Sequence, residues 1–232
     1  AFRRHRGSRL RPVRYAAGVH DLDRFSPPTA SWFDAVFDTP TAAQSLGWAS
    51  IAEGKHTLIH APTGSGKTLA AFLWSIDRLL TAPPPPKERR CRVLYISPLK
   101  ALAYDVDRNL RAPLTGINAE ARRSGTETHT ISVSMRTGDT PQSERQAMVR
   151  NPPDLLITTP ESLYLMLTSR ARGILASVET VIIDEIHALA GTTRGTHLSL
   201  SLERLEALCE TAPQRIGLSA TQRPLDTIAS FL

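Results

Sequence analysis

Short apolar runs alternate along this chain with longer segments in which apolar and polar positions mix. Six runs have the length and residue types of β-strands, at residues 57–60, 93–97, 130–135, 155–158, 181–184 and 216–219. The segments between them predict helices that begin near Gly66, Leu99, Gln142, Pro160, Thr196 and Leu225. This alternation predicts a doubly wound α/β fold, with a mostly parallel sheet and helices on both faces.

Two polar stretches interrupt the pattern. Residues 83–86 are four prolines followed by the charged run KERR, which predicts an exposed connection after the first helix. A proline-directed partner site would also use such a run, although a plain surface loop is favoured. The second stretch, GINAEARRSGTETH at residues 116–129, predicts another loop or an insertion.

Composition narrows the class of protein. The 232 residues are 41% hydrophobic, which is enough to bury the core of one large domain. No apolar run reaches the 18 residues of a membrane span, and the N-terminus lacks a secretory pattern, so we expect a cytoplasmic protein without a membrane partner. The two cysteines, Cys91 and Cys209, are far apart and have no CxxC or histidine pair beside them, which favours neither a zinc site nor a disulfide.

The net charge of +6 is confined to one end of the chain. The first 20 residues hold six arginines and no acid, so they account for the whole excess: Arg3, Arg4, Arg6, Arg9, Arg11 and Arg14. We expect residues 1–24 to be a disordered basic tail and residues 25–232 to be the folded domain. The tail would also suit a nucleic-acid-binding arm.

The stretch IHAPTGSGKT is typical of a loop that holds a triphosphate. Glycines let backbone N–H groups close around phosphate oxygens, and the following helix adds its positive end. Ala61 replaces the first glycine of the pattern GxxxxGK[ST], but the loop lies between a predicted strand and a predicted helix. Lys67 would bind the β and γ phosphates of ATP, and Thr68 would bind Mg²⁺. The phosphate loop contributes Thr63, Gly64, Ser65, Gly66, Lys67 and Thr68 to the predicted nucleotide-binding set.

A second pattern, TVIIDEIH at residues 180–187, places two carboxylates at the end of a strand. Asp184 would hold the Mg²⁺, and Glu185 would orient and deprotonate the attacking water. Acids in this place also cap helices, but a phosphate loop in the same chain favours catalysis. The catalytic set is therefore Glu185, Lys67 and Asp184, with Thr68 and Asp184 as metal ligands.

Five further motifs occur in a fixed order around these two: PTAAQ, SPLKALAYD, RTGDT, TTPESL and LSAT. Together the seven resemble the first motor domain of superfamily 2 DExH-box helicases, which implies a RecA-like P-loop NTPase fold over nearly the whole body of the chain. The longer segments RNLRAPL, RTGDTPQSER, NPPDLLITTPESLYLMLTSRAR and QRIGLSAT are similar to those of the large helicase-related (Lhr) family. Gln222 stands where the family pattern has an apolar residue.

The resemblance implies roles for single residues. Gln44 would read the adenine edge, Ser219 and Thr221 would couple hydrolysis to domain movement, and His187 would relay between the nucleotide and the partner domain. The nucleic-acid track would comprise Pro98, Lys100, Arg136, Gly138, Thr159, Pro160 and Ser162. Charge and hydroxyl donors of this kind suit a strand backbone and read no bases.

The resemblance also implies a larger machine. A second RecA-like domain would supply the arginines that complete the ATP site, so we expect the chain alone not to unwind duplexes. The full protein would move 3′ to 5′ on single-stranded DNA and unwind DNA or RNA–DNA duplexes in DNA repair. Two alternatives stay open from the residues alone: a DExH RNA helicase, and a truncated nucleotide-dependent binding module without motor activity.

Overall fold

The computed structural model of the chain describes residues 21–221, 225–229 and 231–232. Within them, one parallel sheet has the strand order β1-β6-β5-β2-β4-β3. Its strands are β1 (Thr57–His60), β2 (Val93–Ile96), β3 (Val133–Arg136), β4 (Leu155–Thr158), β5 (Thr180–Ile183) and β6 (Gln214–Ser219). The predicted parallel α/β architecture is confirmed, and each predicted strand lies within three residues of an observed one.

The helices in the described part of the chain are α1 (Pro27–Val36), α2 (Ala42–Ala52), α3 (Lys67–Thr81), α4 (Lys100–Ser124), α5 (Gln142–Arg150), α6 (Pro160–Leu167), α7 (Thr193–Glu206) and α8 (Leu225–Ala229). Short 3-10 helices cover Asp21–Arg24, Lys87–Arg89, Arg170–Leu175 and Ile186–Ala188. The sequence pattern did not predict α1 and α2, and it placed the start of α7 three residues late.

Two hydrophobic cores lie on opposite faces of the sheet. Alternate residues of a strand point to opposite faces, so Val93 and Tyr95 of β2 join the core that α1 to α4 cover. Leu94 and Ile96 join the core beneath α6 and α7. Helices therefore cover both faces of the sheet, as the pattern predicted. The ends of the strands remain accessible for binding a ligand.

The predicted loop at residues 116–129 is wrong for its first nine residues, which continue α4 to Ser124. Ile117 and Ala121 are fully buried one helical turn apart, and a helix needs only one apolar stripe of this kind to pack. Gly125, in the left-handed region at φ 68°, ends the helix. By contrast, the exposed connection at residues 83–86 is confirmed.

Four further expectations concern the basic tail, the domain boundary, membrane spans and the cysteines. Residues 1–20, the greater part of the predicted tail, and Gln222 lie outside the described residues. Residues Asp21–Arg24 form a 3-10 helix, so the proposed domain boundary at residue 24 stays a prediction. Within the described part, no helix is both long and apolar enough to cross a bilayer. Burial raises the pKa of Cys91 to about 12, so its thiol stays protonated at neutral pH.

Gly116 is expected to be required for the contact between α1 and α4. A Cβ at this position would overlap the indole of Trp32, which is buried at 7% exposure. Gly116→Ala should therefore lower the free energy of unfolding by about 1–3 kcal/mol, although Ala forms helices better than Gly by about 1 kcal/mol. Urea unfolding measures this, with the exposed neighbour Thr115→Ala as control. Equal stability of the two variants would contradict the packing described.

Candidate functional site

The predicted site residues meet at one edge of the sheet. The carboxyl ends of parallel strands share an edge, and ligands of open α/β sheets bind there. The phosphate loop follows β1, Ser97 and Pro98 follow β2, and Thr159 and Asp184 follow β4 and β5. Arg136 and Ser219 are the last residues of β3 and β6. Motifs that are far apart in the sequence thus form one continuous surface.

The phosphate loop is closed around its own lysine. Gly64 and Gly66 have φ values of 82° and 78°, a region that favours glycine. Lys67, the first residue of α3, is only 7% exposed. Its Nζ donates hydrogen bonds to the carbonyl oxygens of Ala61 and Pro62, at 2.7 and 2.8 Å. The ammonium group therefore lies inside the curve of the loop, at the positive end of α3.

The start of α2 is docked on this loop. Thr41 caps α2, and its hydroxyl donates to the carbonyl of Ser65 at 2.8 Å. Gln44 is 3% exposed and lies against Gly66, where a Cβ would overlap its side chain. Its Oε1 accepts from the Thr41 N–H at 2.8 Å, which completes a capping box. Because Oε1 is engaged, Nε2 is the group of Gln44 left for a ligand, and its adenine contact stays a prediction.

Asp184 is held by two hydrogen bonds. The hydroxyl of Tyr95 donates to its Oδ2, and the backbone N–H of Glu185 donates to its Oδ1 at 2.9 Å. Burial raises the pKa of Asp184, while the Tyr95 bond and the charge of Lys67 oppose that rise. Tyr95 is itself fully buried and stacks on Phe72 with ring centroids 4.8 Å apart. The buried Tyr95 therefore fixes the position of the Asp184 carboxylate.

Glu185 has a strained backbone. At φ 45° and ψ 41° it is the one non-glycine residue with positive φ in the described part of the chain. Such conformations cost on the order of 1–3 kcal/mol and cluster at functional sites. The Glu185 carboxylate lies 3.0 Å from His187 Nε2. The fold therefore maintains an unfavourable conformation at the residue predicted to act as base.

His187 joins the Glu185 carboxylate to the end of β6. Its Nδ1 accepts from the N–H of Ala220 at 3.3 Å, and Ser219 Oγ lies 3.3 Å from the same nitrogen. A ring nitrogen that accepts carries no proton, which assigns the proton to Nε2 and makes it a donor to Glu185. The predicted coupling residues His187 and Ser219 are thus in one network. Thr221 is exposed and lies outside it.

The residues present fit ATP with Mg²⁺. Asp184 keeps free lone pairs beyond its two hydrogen bonds, and a carboxylate with the Thr68 hydroxyl is the oxygen donor set that Mg²⁺ prefers. The Ser65 hydroxyl is buried without a hydrogen-bond partner in the described residues. No group of three or more His, Cys, Asp or Glu that could hold a metal exists in the described residues. Phosphate oxygens and water would therefore complete the coordination of the ion.

The predicted nucleic-acid track is mostly paired within the protein. Lys100 Nζ bridges both carboxylate oxygens of Asp139 at 2.7 Å, beside Gly138. The Thr159 hydroxyl donates to Ser162 Oγ at 3.2 Å, and both residues are 4% exposed. Pro160 begins α6, so the helix predicted to start at this motif is confirmed. Pro98 is buried.

Arg136 differs from these residues. It is 8% exposed, and no carboxylate forms an ion pair with it among the described residues. Burial and the neighbouring charge of Arg145 lower its pKa. Buried charges are normally paired. Because the guanidinium group of Arg136 has no acidic partner among the described residues, it remains available to an anion.

The sequence profile of the family DEAD/DEAH box helicase matches residues 41–228. The chain belongs to this family. It is 60% identical over 215 residues to a Lhr helicase and probable uracil glycosylase of Mycolicibacterium smegmatis, covering 93% of this chain and 14% of the relative. It is 58% identical over 215 residues to the Lhr helicase/uracil glycosylase of Escherichia coli, covering 90% of this chain and 14% of that relative. The chain thus spans about one seventh of these curated relatives.

A solved structure agrees with this assignment. The Mycobacterium smegmatis helicase Lhr bound to ssDNA and AMP-PNP superposes with a TM-score of 0.88 at 59% identity, covering 92% of this chain and 27% of that one. The resemblance to Lhr helicases and the RecA-like fold are confirmed. The chain is a DEAD/DEAH box helicase domain that is similar to the corresponding part of Lhr helicases.

Three features of this DEAD/DEAH domain were not predicted. Tyr95 looks like a core aromatic, because its partner Asp184 is defined only by strand pairing. Thr41 could have been found, since Thr-x-x-Gln before an apolar run is a capping-box pattern. Arg194 pairs through both guanidinium ends with Glu161, at 2.5 and 3.0 Å, and so joins α7 to the TTPESL motif.

Tyr95→Phe is expected to raise the Mg²⁺ concentration that nucleotide binding requires, without unfolding the domain. The variant keeps the stack on Phe72 but removes the hydrogen bond that orients Asp184. Groups that orient metal ligands are worth about 10–100-fold in metal affinity, so half-maximal nucleotide binding should need about tenfold more Mg²⁺. Titration of Mg²⁺ at fixed nucleotide measures this, with the exposed Tyr104→Phe as control. An unchanged Mg²⁺ requirement would show that Tyr95 does not position Asp184.

Proposed function

We propose that this domain binds ATP with Mg²⁺ and forms one side of the ATP site of a longer protein that moves along single-stranded DNA. The observation that carries the proposal is the network from Glu185 through His187 to Ser219 and Ala220. It connects the predicted base to the end of a neighbouring strand, whereas simple nucleotide binding would need no such connection.

Each residue of the nucleotide site has a separate task in this proposal. Lys67 and the N–H groups at the start of α3 bind the β and γ phosphates. Thr68 and Asp184 would hold Mg²⁺, which neutralises phosphate charge during transfer. Glu185 orients the attacking water and accepts its proton, and Gln44 contacts adenine. Lys67 must leave the carbonyls of Ala61 and Pro62 at least in part to reach a phosphate, so nucleotide binding should open the loop.

The same network offers a route from chemistry to movement. His187 Nε2–H donates a hydrogen bond to the Glu185 carboxylate. Because Glu185 would act at the γ-phosphate, a change there would alter this hydrogen bond on one side of the His187 ring. The bonds on its other side, to Ala220 N–H and Ser219, then report that change to the end of β6. We place Thr221, next along this segment, at the contact with a second RecA-like domain.

Nucleic acid would lie across Pro98, Lys100, Arg136, Gly138, Thr159, Pro160 and Ser162. The ssDNA in the solved Lhr structure supports a DNA strand over RNA here. The Lys100–Asp139 ion pair is exposed, and exposed pairs are worth about 0–1 kcal/mol, so a phosphate can displace the carboxylate at little cost. Polarity 3′ to 5′, RNA–DNA unwinding, a role in DNA repair and a cytoplasmic location belong to the proposal.

The second side of the site would come from another part of a longer protein, because the chain spans 14% of the relatives' length. Arginines from a second domain are worth about 10³–10⁵ in rate in related phosphoryl-transfer sites. The chain alone should therefore bind nucleotide weakly and unwind nothing.

Stimulation of ATP hydrolysis by nucleic acid tests the proposal. The longer protein is measured with DNA and RNA oligonucleotides of matched sequence and length. We expect stimulation by single-stranded DNA that exceeds stimulation by RNA. Equal or greater stimulation by RNA would favour an RNA helicase, and no stimulation by either strand would favour a binding module without motor activity.

A further inference from the structure

A cleft of about 630 Å³ lies beside the predicted track and is lined by four arginines. One wall is a single face of α5, from Gln142 to Arg150, and the other is the segment of residues 169–171. Arg136 closes the end nearest the track. Among the described residues that line the cleft, none is acidic. Such one-sided charge concentrates anions.

The buried arginine of this cleft has no partner of its own. Arg136 is 8% exposed, and none of the ion pairs in the described part of the chain includes it. Its surroundings add repulsion, since the charge of Arg145 together with burial lowers its pKa. A buried charge that lacks a counter-charge is costly. An anion in the cleft would remove that cost.

Two further arginines of the cleft also lack an acidic partner among the described residues. Arg150 and Arg170 are exposed, and the guanidinium group of neither forms an ion pair or hydrogen bond within the described residues. Several arginines outside the cleft are paired with acids: Arg90 pairs with Asp154 at 2.8 Å, and Arg215 with Glu203 and Glu206. The unmatched guanidinium groups of the cleft are therefore available to a ligand.

The fourth arginine has a supporting role. Arg145 donates to the carbonyl oxygens of Thr140 at 2.7 Å and of Gly138 at 2.8 Å. It thereby fixes the RTGDT loop, which carries Asp139 toward Lys100. The loop of the track and the wall of the cleft are one connected structure.

We propose that this cleft binds the sugar–phosphate backbone of the single strand and extends the track past Arg136 along α5. This inference rests on the proposed function. Guanidinium groups bind phosphate through two parallel hydrogen bonds, and Val149, 37% exposed, offers an apolar surface to the sugars. Arg136 belongs to both the track and the cleft. A single strand bound on the track can therefore continue into the cleft. An acidic peptide is the other ligand that such a cleft would suit.

The test is the binding of fluorescein-labelled oligothymidylate to the chain, followed by anisotropy over a range of salt concentrations. The double variant Arg150→Ala/Arg170→Ala removes the two free guanidinium groups from exposed positions. Affinity should fall on the order of tenfold in low salt, and the slope of log K against log salt should become shallower by about 0.7 per lost contact. Lys87→Ala/Arg122→Ala removes the same charge from exposed positions outside the cleft and should change neither quantity.

Lys100→Ala separates this inference from the proposed function. If Lys100→Ala weakens binding while the cleft variant matches the control, the track stands and the cleft proposal is overturned. If the unaltered chain binds no oligothymidylate, both fail. Labelled poly-glutamate is the second probe: if it loses affinity in the cleft variant and oligothymidylate does not, the cleft is a peptide site and the proposal is wrong.

Discussion

Glu185→Gln is expected to slow nucleic-acid-stimulated ATP hydrolysis of the longer protein by about 10²–10⁴-fold, the usual contribution of a general base. The amide has the shape of the carboxylate and can still accept the hydrogen bond from His187 Nε2, which lies 3.0 Å away. It cannot accept a proton from water. Nucleotide affinity should therefore stay within about twofold while the rate collapses, because the loss is confined to the transition state.

Glu179→Gln is the matched control for this variant. Glu179 directly precedes β5 at the opposite end of the strand from Glu185, and its exposed carboxylate pairs with Arg92. The control should hydrolyse ATP at the normal rate. A Glu185→Gln protein that turned over ATP as fast as Glu179→Gln would show that another group is the base.

Lys67→Ala should abolish most nucleotide binding. The ammonium is buried at 7% exposure inside the phosphate loop, and no carboxylate is paired with it in the described residues. Its hydrogen bonds to phosphate would be charge-assisted and worth about 1.5–3 kcal/mol, which corresponds to about 10–100-fold in affinity. Titration with a non-hydrolysable ATP analogue and Mg²⁺ measures the loss.

The exposed Lys55→Ala controls for the change in net charge, since the Lys55 ammonium pairs only with the exposed Glu53 among the residues that the structure describes. A thermal melt of Lys67→Ala separates lost binding from a disordered loop, because the variant also removes two bonds to loop carbonyls. Affinity within twofold of the Lys55 variant would contradict the phosphate role of Lys67.

Much of this domain could be predicted because its chemistry is local in sequence. The glycines of the phosphate loop and the carboxylates after β5 are adjacent to the strands that position them, so spacing was enough. The end of α4 was misjudged because residues 116–124 are mostly polar. Only the burial of Ile117 and Ala121 against the rest of the fold shows why this segment is helical.

Contacts between distant segments could not be predicted in the same way. The Tyr95 bond to Asp184 depends on the pairing of β2 with β5, in which Tyr95 lies opposite Ile182. The loops that meet at the strand ends also determine two further contacts. They bring Asp139 to Lys100, and they leave Arg136 beside Arg145. Periodicity carries no information about such neighbours.

Steady-state ATP hydrolysis by the 232-residue chain, compared with the longer protein at saturating single-stranded DNA, tests most directly whether this domain is one side of a two-domain motor. The chain carries Lys67, Asp184 and Glu185 but would lack the arginines of the other side. It should therefore hydrolyse ATP at least about 10³-fold more slowly than the longer protein, with no stimulation by DNA. Turnover of many ATP per second by the chain alone would contradict the account.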